Sequence, residues 1–526
     1  MDQVLPSLHR AIKLHRRGKL DKAVRLYRSI VRQYPRNHQA QHLLGVAYAQ
    51  RGQFAEAVPF MERALAINPD FAEAHYNLGN ALQALGRNED AVRCYEKVLA
   101  LNPGYADAHY NLGNALLALD RHADAIQRYE KVLALNPAYP GAYNNLGSAL
   151  KALDRTADAV RCFESAVQLA PDDAAVHFNL AVALQDLVRH DEAIARYDRT
   201  LALKPGDAAA KQNKGFSLLA LERFTEGAPL YLDSWHSKYK VTPEEMKIPL
   251  WLGERDIRGK RLLVQQGGQG IGDAIQGARY VPVLQGMGAE CWLQVHSRLM
   301  PLMTRSFPSA RVVADDECPA GMDFRIPFMT NVLALRTRTV ADIPRDCPYL
   351  AVDPGLVDDW RGALRSQYPM AVGVHWRGNP DNTNDRNRSM RLETLLPLFE
   401  CGGVQFVSLQ KDLTDAEIAL LRRFPNVKIV DAEQTDFDVA AAVVAALDLT
   451  IAVDTAVAHL SGALGRRTWI MLCFAPDWRY FVDRADSPWY PAARLYRQRS
   501  FGDWTSVVAE VADSLRSSRG QHGMLA

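Results

Sequence analysis

The sequence predicts an α-helical repeat array followed by an α/β region. A period of 34 residues runs through the first half of the 526-residue chain and is lost after about residue 241. From residue 261 onward, short apolar segments alternate with segments of helical spacing, which is typical of parallel sheets covered by helices. The predicted fold is therefore an α-solenoid followed by a pair of Rossmann-like domains.

Columns of a single residue type define the 34-residue period. Small and aromatic residues recur at fixed places, which is the pattern of two amphipathic helices that approach closely. Prolines stand at 35, 69, 103, 137, 171 and 205, alanines at 23, 57, 91, 125, 159 and 193, and glycines at 45, 79, 113, 147 and 215. The aromatic column holds Tyr27, Tyr95, Tyr129, Phe163, Tyr197 and Tyr231. This pattern resembles the tetratricopeptide repeat, and seven units are predicted: 4–37, 38–71, 72–105, 106–139, 140–173, 174–207 and 208–241.

An asparagine column indicates what the repeats do. It lies two residues before the close-packing position, on the first helix of each unit, and this helix lines the groove in repeats of this class. A side-chain amide offers a hydrogen-bond donor and an acceptor together. The same column occurs in repeats of the O-linked N-acetylglucosamine transferase, so the resemblance implies capture of a protein or peptide. The alternative is that the amides only solvate the helices or cap turns between them. The column consists of Asn77, Asn111, Asn145, Asn179 and Asn213.

Bulk composition argues against several classes of protein. A net charge of +2 provides no broad basic field for nucleic acid. The chain has no run of about 18 uncharged apolar residues, so we expect no membrane span. Its first twenty or so residues lack the apolar core and cleavage site of a signal peptide. The seven cysteines form no CxxC pair, so we expect no metal site, no disulfide framework and a cytoplasmic location.

Residues 261 to 518 divide into two sets of predicted strands. The first set is RLLVQ (261–265), CWLQV (291–295), RVV (311–313) and DFRIP (323–327), and the second is MAVGVHW (370–376), VQFVSLQ (404–410), VKIV (427–430), LTIAV (449–453) and TWIMLC (468–473). Ligands of such sheets bind at the carboxyl ends of the strands. The predicted boundaries are 1–241 for the repeats, 242–260 for a linker, 261–360 for an acceptor half, 361–518 for a nucleotide-sugar half, and 519–526 for a tail.

The glycine loop QGGQGIGD (266–273) follows the first of these strands and precedes a segment of helical character (274–284). A dinucleotide site needs an acid at the end of the next strand, and a P-loop needs Lys and Ser or Thr after its last glycine. Neither is present, and the carboxylate of Asp273 would repel a phosphate at this helix N-terminus. Asp273 is suited to proton abstraction from an acceptor hydroxyl, although helix capping is the commoner role of Asp at such a place. The candidate acceptor loop comprises Gly268, Gly270, Gly272 and Gln276.

The second half contains a candidate phosphate site in AVDTAVAHLSGALG (452–465). The backbone amides at the start of the helix after Thr455 are suited to a diphosphate. An ordinary N-cap followed by a buried, packed histidine would give the same sequence pattern. The long loop 376–393 carries four arginines that could pair with phosphate oxygens or could simply be solvated. The candidate residues for binding the sugar donor are Asp454, Thr455, Ala456, Val457, His459, Arg377, Arg386, Arg388 and Gln410, with Arg391 in the same loop.

Three of these stretches together resemble the heptosyltransferase-like glycosyltransferases over residues 261–515. Gly272-Asp273 matches a Gly-Asp of that family whose aspartate is the presumed base. Asp454-Thr455 and His459-Leu460 match its Asp-Thr-Gly-x-x-His-Leu motif, with Ala456 in place of the glycine. The layout is similar to bacterial members that carry repeats. The resemblance implies a GT-B pair of Rossmann domains and an inverting, metal-independent transfer.

The function implied in this way is transfer of a sugar from a nucleotide-sugar donor, with no cofactor, to an acceptor presented by the repeats. The donor sugar, the nucleotide base and the acceptor stay open. The competing hypothesis is a protein-binding scaffold in which the glycosyltransferase-like region is inactive. A nucleotide-sugar hydrolase or epimerase is not supported, because the chain has no SxxxYxxxK arrangement and no dinucleotide fingerprint.

Overall fold

The computed structural model describes residues 4–235, 242–267, 270–364, 367–380, 384–430 and 436–522. Gly268, the end of the seventh repeat (236–241) and the second half of the predicted tail (523–526) lie outside these residues. The chain forms two compact units, Met1–Leu184 and Gln185–Ala526. The last helices of the repeat pattern therefore belong to the same unit as the α/β region.

Fourteen helices in seven successive pairs make up the described repeats, and the helical repeat array predicted from the sequence is confirmed. They are α1 (Val4–Arg16), α2 (Leu20–Gln33), α3 (His38–Ala49), α4 (Phe54–Ile67), α5 (Ala72–Ala84), α6 (Asn88–Leu101), α7 (Ala106–Leu117), α8 (His122–Leu135), α9 (Pro140–Ala152), α10 (Thr156–Leu169), α11 (Ala174–Asp186), α12 (His190–Leu203), α13 (Ala208–Ala220) and α14 (Phe224–Trp235).

Glycine and aromatic columns meet inside the third, fourth and fifth pairs, as the spacing predicts. A methyl group placed on Gly113 would lie 2.7 Å from the ring of Tyr129, and one placed on Gly147 would lie 2.7 Å from the ring of Phe163. These rings are almost completely buried. Only glycine lets the two helices approach over such a ring without displacement, because interiors are already close-packed.

The second unit adds twelve helices and ten strands among the described residues. The helices are α15 (Pro243–Met246), α16 (Ile271–Gly277), α17 (Val281–Gly286), α18 (Met300–Ser306), α19 (Asn331–Ala334), α20 (Pro354–Leu364), α21 (Asp385–Arg388), α22 (Leu392–Phe399), α23 (Asp415–Leu421), α24 (Phe437–Ala446), α25 (Ala456–Ala463) and α26 (Trp504–His522). The strands are β1 (Arg261–Gln265), β2 (Glu290–Val295), β3 (Arg311–Ala314), β4 (Phe324–Pro327), β5 (Met370–His375), β6 (Val404–Ser408), β7 (Val427–Ile429), β8 (Leu449–Val453), β9 (Thr468–Leu472) and β10 (Ala493–Arg497).

Two parallel sheets organise this unit, which confirms the predicted α/β class. The first sheet has the order β3-β2-β1-β4 and the second has the order β10-β9-β8-β5-β6-β7. All the paired strands within each sheet run parallel. β1 and β8 are interior strands, so the loops that follow them emerge from the middle of their sheets.

Two segments differ in detail from the sequence expectations. The helix expected over 274–284 is two helices, α16 and α17, separated by the 3₁₀ turn Ala278–Tyr280. Pro282 lies in the first turn of α17, where its missing N–H costs nothing. The segment 242–260, expected to be a linker, begins with a capping box between Thr242 and Glu245 and ends against the first sheet. There Trp251 is fully buried and its amide donates to the Arg325 carbonyl at 2.9 Å.

The last helical pair, α13–α14, shares a hydrophobic core with the α/β region. Leu219, Ala220 and Phe224 belong to the same buried cluster as residues of β1 and α16. Phe224 is fully buried, and its ring lies 6.4 Å from that of Trp478. None of the described helices is both long and apolar enough to cross a membrane.

Candidate functional site

The two strand–turn–helix stretches that the sequence singled out lie side by side. α16 begins after β1, α25 begins after β8, and the two helices pack against each other. A methyl group on Gly272 would lie 2.8 Å from His459 Cδ2 and 3.5 Å from Ala456 Cα. Gly272 therefore brings the start of α16 against the start of α25, which a larger side chain would prevent.

Asp273 is both a helix cap and a member of an ion pair. Its Oδ2 accepts a hydrogen bond from the Gly270 amide at 3.1 Å, so the capping role considered for this residue is present. Its Oδ1 accepts from Arg479 Nη1 at 2.6 Å. The same Nη1 donates to Gln276 Oε1 at 2.7 Å. Both carboxylate oxygens are thus fixed in place, and one of them faces a guanidinium group.

Arg479 is an almost buried cation at the centre of this site. Its side chain is 12 % exposed, and its Nε donates to Asp477 Oδ1 at 2.8 Å. Burial alone would lower the pKa of this guanidinium, but the charges of Asp477, Asp273 and Asp454 outweigh that effect and hold its pKa well above the ordinary value. Arg479 is therefore a permanent positive charge between carboxylates of both sheets.

Asp454, at the end of β8, is the centre of a second network. Tyr480 donates its hydroxyl hydrogen to Asp454 Oδ1 at 2.5 Å, and His459 Nε2 lies 3.5 Å from the same oxygen. His459 Nδ1 lies 2.9 Å from the Tyr490 hydroxyl, which fixes the ring. Burial raises the pKa of Asp454, but hydrogen bonding to His459 and the charges of His459 and Arg479 more than offset it and hold that pKa well below its usual range.

The N-terminus of α25 has no side-chain cap. The Thr455 hydroxyl donates to the Val453 carbonyl at 3.2 Å and lies 3.1 Å from His375 Nδ1, so it is turned away from the helix amides. Ala456 and Val457 at the start of the helix are only partly buried. Uncapped amides and the positive end of a helix dipole favour an anion at this place.

The arginines of the loop 376–393 divide into two groups, with residues 381–383 outside the described part of the chain. Arg377 pairs with Glu417 at 2.5 Å, and Arg388 pairs with Asp385 at 3.2 Å while donating to the Asp454 carbonyl at 3.1 Å. Both arginines therefore hold the loop in place.

Arg386 and Arg391 are exposed instead. They line a pocket of about 420 Å³ together with Glu393 and Thr414. These two arginines are the ones placed to meet a ligand from solvent.

Gln410 holds the start of the same loop. Its Oε1 accepts from the backbone amides of Trp376 at 3.3 Å and Arg377 at 3.1 Å, and the side chain is 4 % exposed. The structure therefore places this candidate beneath the loop, where it supports the backbone and does not present its amide to a nucleotide.

In the first unit, the asparagine column joins neighbouring repeats. Asn111 Nδ2 donates to Tyr76 Oη and to Asn80 Oδ1, both at 3.0 Å. Asn145 Nδ2 makes the equivalent pair of bonds one repeat later, to Tyr110 at 3.1 Å and Asn114 at 2.8 Å.

Both N–H groups of these two amides are therefore used within the array. What they offer a ligand is their carbonyl oxygens, of which Asn145 Oδ1 also accepts from Asn144 Nδ2 at 3.1 Å. Asn77 bonds to His42 and Asn179 to Asn144 in the same register. In the second unit, Asn213 hydrogen-bonds to Tyr197.

Comparison with known sequences agrees with this geometry. Profiles described as "Tetratricopeptide repeat" match residues 76–142 and 144–208, and one described as "TPR repeat" matches residues 45–86. These residues are tetratricopeptide repeats. Protein FlbA of Caulobacter vibrioides is 30% identical over 321 residues, which is 56% of this chain and 53% of FlbA. The chain thus spans about half the length of this curated relative.

Solved structures are similar to about a third of the chain. MamA of Desulfovibrio magneticus is 26% identical, with a TM-score of 0.30 over 32% of this chain and 96% of MamA. YrrB, described as a TPR protein with an unusual peptide-binding site, is 19% identical, with a TM-score of 0.32 over 35% of this chain and 95% of YrrB.

Outside the tetratricopeptide repeats, several residues of the site were not predicted. Arg479, Tyr480 and Tyr490 lie in the stretches DWRYF (477–481) and DSPWYP (486–491), which hold none of the predicted site residues. Their density of arginine and aromatic residues was the available signal. His375 was not predicted, because the sequence shows it only as the last residue of a buried strand. Within the described residues, no group of three or more His, Cys, Asp or Glu side chains could hold a metal ion.

His375 makes the second unit sensitive to acid. Its burial, and then the charges of Arg377 and Arg388, lower its pKa to about 3. An unfolded histidine titrates near 6.5. Between these values the unfolded chain binds a proton that the folded chain does not. The stability contribution of neutral His375 is therefore complete above about pH 6.5 and falls by about 1.4 kcal/mol per pH unit as the pH drops.

We therefore expect His375→Gln to flatten the pH dependence of stability. From about pH 7 to about pH 5, the difference between the wild type and the variant should change by about 2 kcal/mol. Urea unfolding at a series of pH values measures it. His190, whose pKa is lowered by burial to about 4, contributes to the acid sensitivity of both proteins and cancels in the comparison. Parallel stability curves for the two proteins would contradict the assignment.

Proposed function

We propose that the second unit is an inverting, metal-independent glycosyltransferase of the GT-B type that transfers a sugar from a nucleotide-sugar donor to a protein acceptor. One observation carries this proposal: the uncapped N-terminus of α25 lies against the helix that holds the Asp273 carboxylate. An anion site and a base are thereby adjacent, at the carboxyl ends of strands from two parallel sheets.

In the proposed reaction, one displacement forms the new bond and breaks the old one. Asp273 takes the proton of an acceptor hydroxyl, and the oxygen attacks the anomeric carbon. The bond from that carbon to the diphosphate oxygen breaks, and the nucleoside diphosphate leaves with the electron pair. The first amides of α25 stabilise the developing charge, assisted by arginines of the loop that Arg388 joins to the Asp454 carbonyl. The networks around Asp454 keep the start of α25 in place.

The tetratricopeptide repeats are a protein-interaction module, and in this proposal they present the acceptor. The asparagine column uses its N–H groups between repeats, so the available carbonyl oxygens suit the backbone N–H groups of an extended peptide. Recognition through the backbone tolerates many sequences, because every residue except proline carries the same N–H group.

The second candidate function is a scaffold whose α/β part does not turn over. The ion pair between Arg479 and Asp273 favours it, because a base held in this way is partly neutralised. The contact of Gly272 with His459 favours it as well, because it leaves little space between the two helices. In this case the repeats alone carry the function.

Calorimetric titration of the full chain with UDP-, ADP-, GDP- and CDP-sugars tests the proposal. We expect one nucleotide class to bind and Asp454→Asn to lose at least about tenfold in affinity, because the loss of its charge disturbs the start of α25 at a cost of about 1.4 kcal/mol or more. Asp448→Asn is the matched control, since Asp448 lies at the opposite end of β8 and accepts from the Ala371 amide. No binding by the wild type would favour the scaffold.

Peptide capture is tested on the repeats themselves. The double variant Asn111→Ala, Asn145→Ala should bind an array of random-sequence peptides about 5- to 100-fold more weakly, since each lost hydrogen bond costs about 0.5–1.5 kcal/mol. Asn136→Ala is the control, because Asn136 is exposed at a helix end and its side-chain oxygen accepts from the Ala138 amide of its own loop. Equal binding by the double variant and the control would show that the column serves only the packing of the repeats.

A further inference from the structure

Three successive side chains of one short turn reach three different parts of the second unit. We name residues 477–481 the connecting turn; its middle residues form the 3₁₀ turn Trp478–Tyr480. Neighbouring side chains of a 3₁₀ turn project about 120° apart, so they meet different surroundings. Trp478 faces the last helical pair, Arg479 pairs with Asp273 after β1, and Tyr480 donates to Asp454 after β8.

Trp478 packs the connecting turn against the last helical pair. The indole is 4 % exposed and meets the rings of Phe224 and Tyr231 edge-on, at centroid distances of 6.4 and 6.1 Å. Both rings belong to α14, and the turn between α13 and α14 adds the ion pair of Glu222 with Arg484 at 3.1 Å. Edge-on aromatic contacts of this kind are specific in geometry as well as apolar.

The backbone of the turn is held in a conformation that its sequence does not favour. Phe481 has φ 53° and ψ −174°, a region occupied almost only by glycine. Such a conformation persists only where the surroundings determine it. The surroundings here are the ring of Phe224 at 6.0 Å from that of Phe481 and the indole N–H of Trp489, which donates to the Arg479 carbonyl at 2.7 Å.

The position of the turn sets the position of the Arg479 guanidinium. Asp477 accepts from both the backbone amide and Nε of Arg479, at 3.0 and 2.8 Å, so the side chain is fixed at its root. Nη1 of Arg479 then donates to Asp273 Oδ1 and Gln276 Oε1. The guanidinium group is planar and rigid, so fixing its Nε against Asp477 also fixes the position of its Nη1 and of the Asp273 carboxylate bound there.

We propose that Arg479 is a positioning residue for Asp273 and that the last helical pair holds it in place through Trp478. The seventh repeat is then a working part of the catalytic site in addition to being the end of the repeat array. The role given to Asp273 rests on the proposed function, whereas the mechanical link between α14 and α16 does not.

Hydrogen exchange of the full chain, followed by mass spectrometry, tests the link without any need for activity. Trp478→Ala should raise exchange in peptides that cover 270–280 by about tenfold or more, because a contact worth at least about 1.4 kcal/mol is lost from the local opening equilibrium. Trp360→Ala is the matched control, since this half-buried indole lies on α20, outside the turn. Trp478→Leu, which removes the edge-on ring contacts but keeps apolar bulk, replaces the alanine variant if that variant does not fold. Unchanged exchange at 270–280 in a folded Trp478 variant would overturn the link.

Kinetics then distinguish positioning from sugar-donor binding. Arg479→Met and Trp478→Ala should lower kcat at least about tenfold with the sugar-donor KM unchanged within about twofold, and Arg479→Lys should recover part of the rate. A tenfold rise in KM with kcat unchanged would make Arg479 a sugar-donor ligand and overturn the positioning role. If the wild type itself shows no turnover, the proposed function fails, and the exchange experiment still decides whether the last helical pair holds α16.

Discussion

Replacement of Asp273 by asparagine is expected to lower kcat by about 10²–10⁴-fold, the usual contribution of a general base. Asparagine has nearly the same shape but only one acceptor oxygen, so it can keep one of the two contacts, with the Gly270 amide or with Arg479, and not both. What it lacks is the capacity to take a proton. Sugar-donor affinity should stay within about twofold of the wild type. Steady-state rates with the nucleotide sugar identified by calorimetry, together with titration of that sugar, measure both quantities.

Asp342 provides the control for this experiment. Like Asp273 it is the third residue of its short helical turn, accepts from the backbone amide of the N-cap residue, here Thr339, and lies in the same half. It faces neither α25 nor Arg479 in the described contacts. Asp342→Asn should therefore leave kcat unchanged. If the two variants behave alike, with small losses of stability and full activity, Asp273 is only a cap and the proposed base must be sought elsewhere.

The largest expected effect on stability concerns Tyr129. We expect Tyr129→Ala to lower the free energy of unfolding of the repeats by about 3–5 kcal/mol, the range for removal of a fully buried aromatic side chain. The neighbouring Gly113 cannot fill the space, because it has no side chain. Repeats unfold in units coupled to their neighbours, so the loss should spread to adjacent pairs. Urea unfolding of the full chain, followed by far-ultraviolet circular dichroism, measures it.

Tyr129→Phe separates the ring from its hydroxyl. The hydroxyl donates to Asn114 Oδ1 at 2.8 Å, an oxygen that also accepts from Asn145. Its removal should cost about 1 kcal/mol. The chain itself uses phenylalanine in this register at Phe163, against Gly147. Equal losses for the alanine and phenylalanine variants would mean that the hydrogen bond, and not the packing of the ring against glycine, holds the pair together.

Much of the architecture follows from local sequence patterns. The 34-residue columns predict helix pairs because each column is a packing requirement that recurs in every unit. The parallel sheets were predicted because apolar segments alternate with helical ones, and LTIAV became β8 over the predicted residues. β10 was missed because ARLYR lies at a sheet edge, where two arginines interrupt the apolar pattern.

The connections within the site were not predictable in the same way. Asp273 and Arg479 are 206 residues apart, and nothing in either neighbourhood encodes the other. The sequence shows that Arg377 and Gln410 are polar residues near a strand end but not that one pairs with Glu417 and the other supports a backbone. Likewise, the asparagine column predicts amides in a groove, but only the three-dimensional register shows that Asn111 and Asn145 use both N–H groups between repeats.

The shared core of α13–α14 with the α/β region bears on how such chains can be recombined. Periodicity ends near residue 241, and a hybrid gene joined there keeps every repeat whole. A foreign seventh repeat would nevertheless arrive without Phe224 and Tyr231, the rings that meet Trp478. A crossover upstream of Ala174 exchanges recognition surfaces and leaves the second unit, which begins at Gln185 and includes α12, intact. Whole repeats before that point can therefore be gained, lost or exchanged, whereas the last helices of the array must stay with the α/β region.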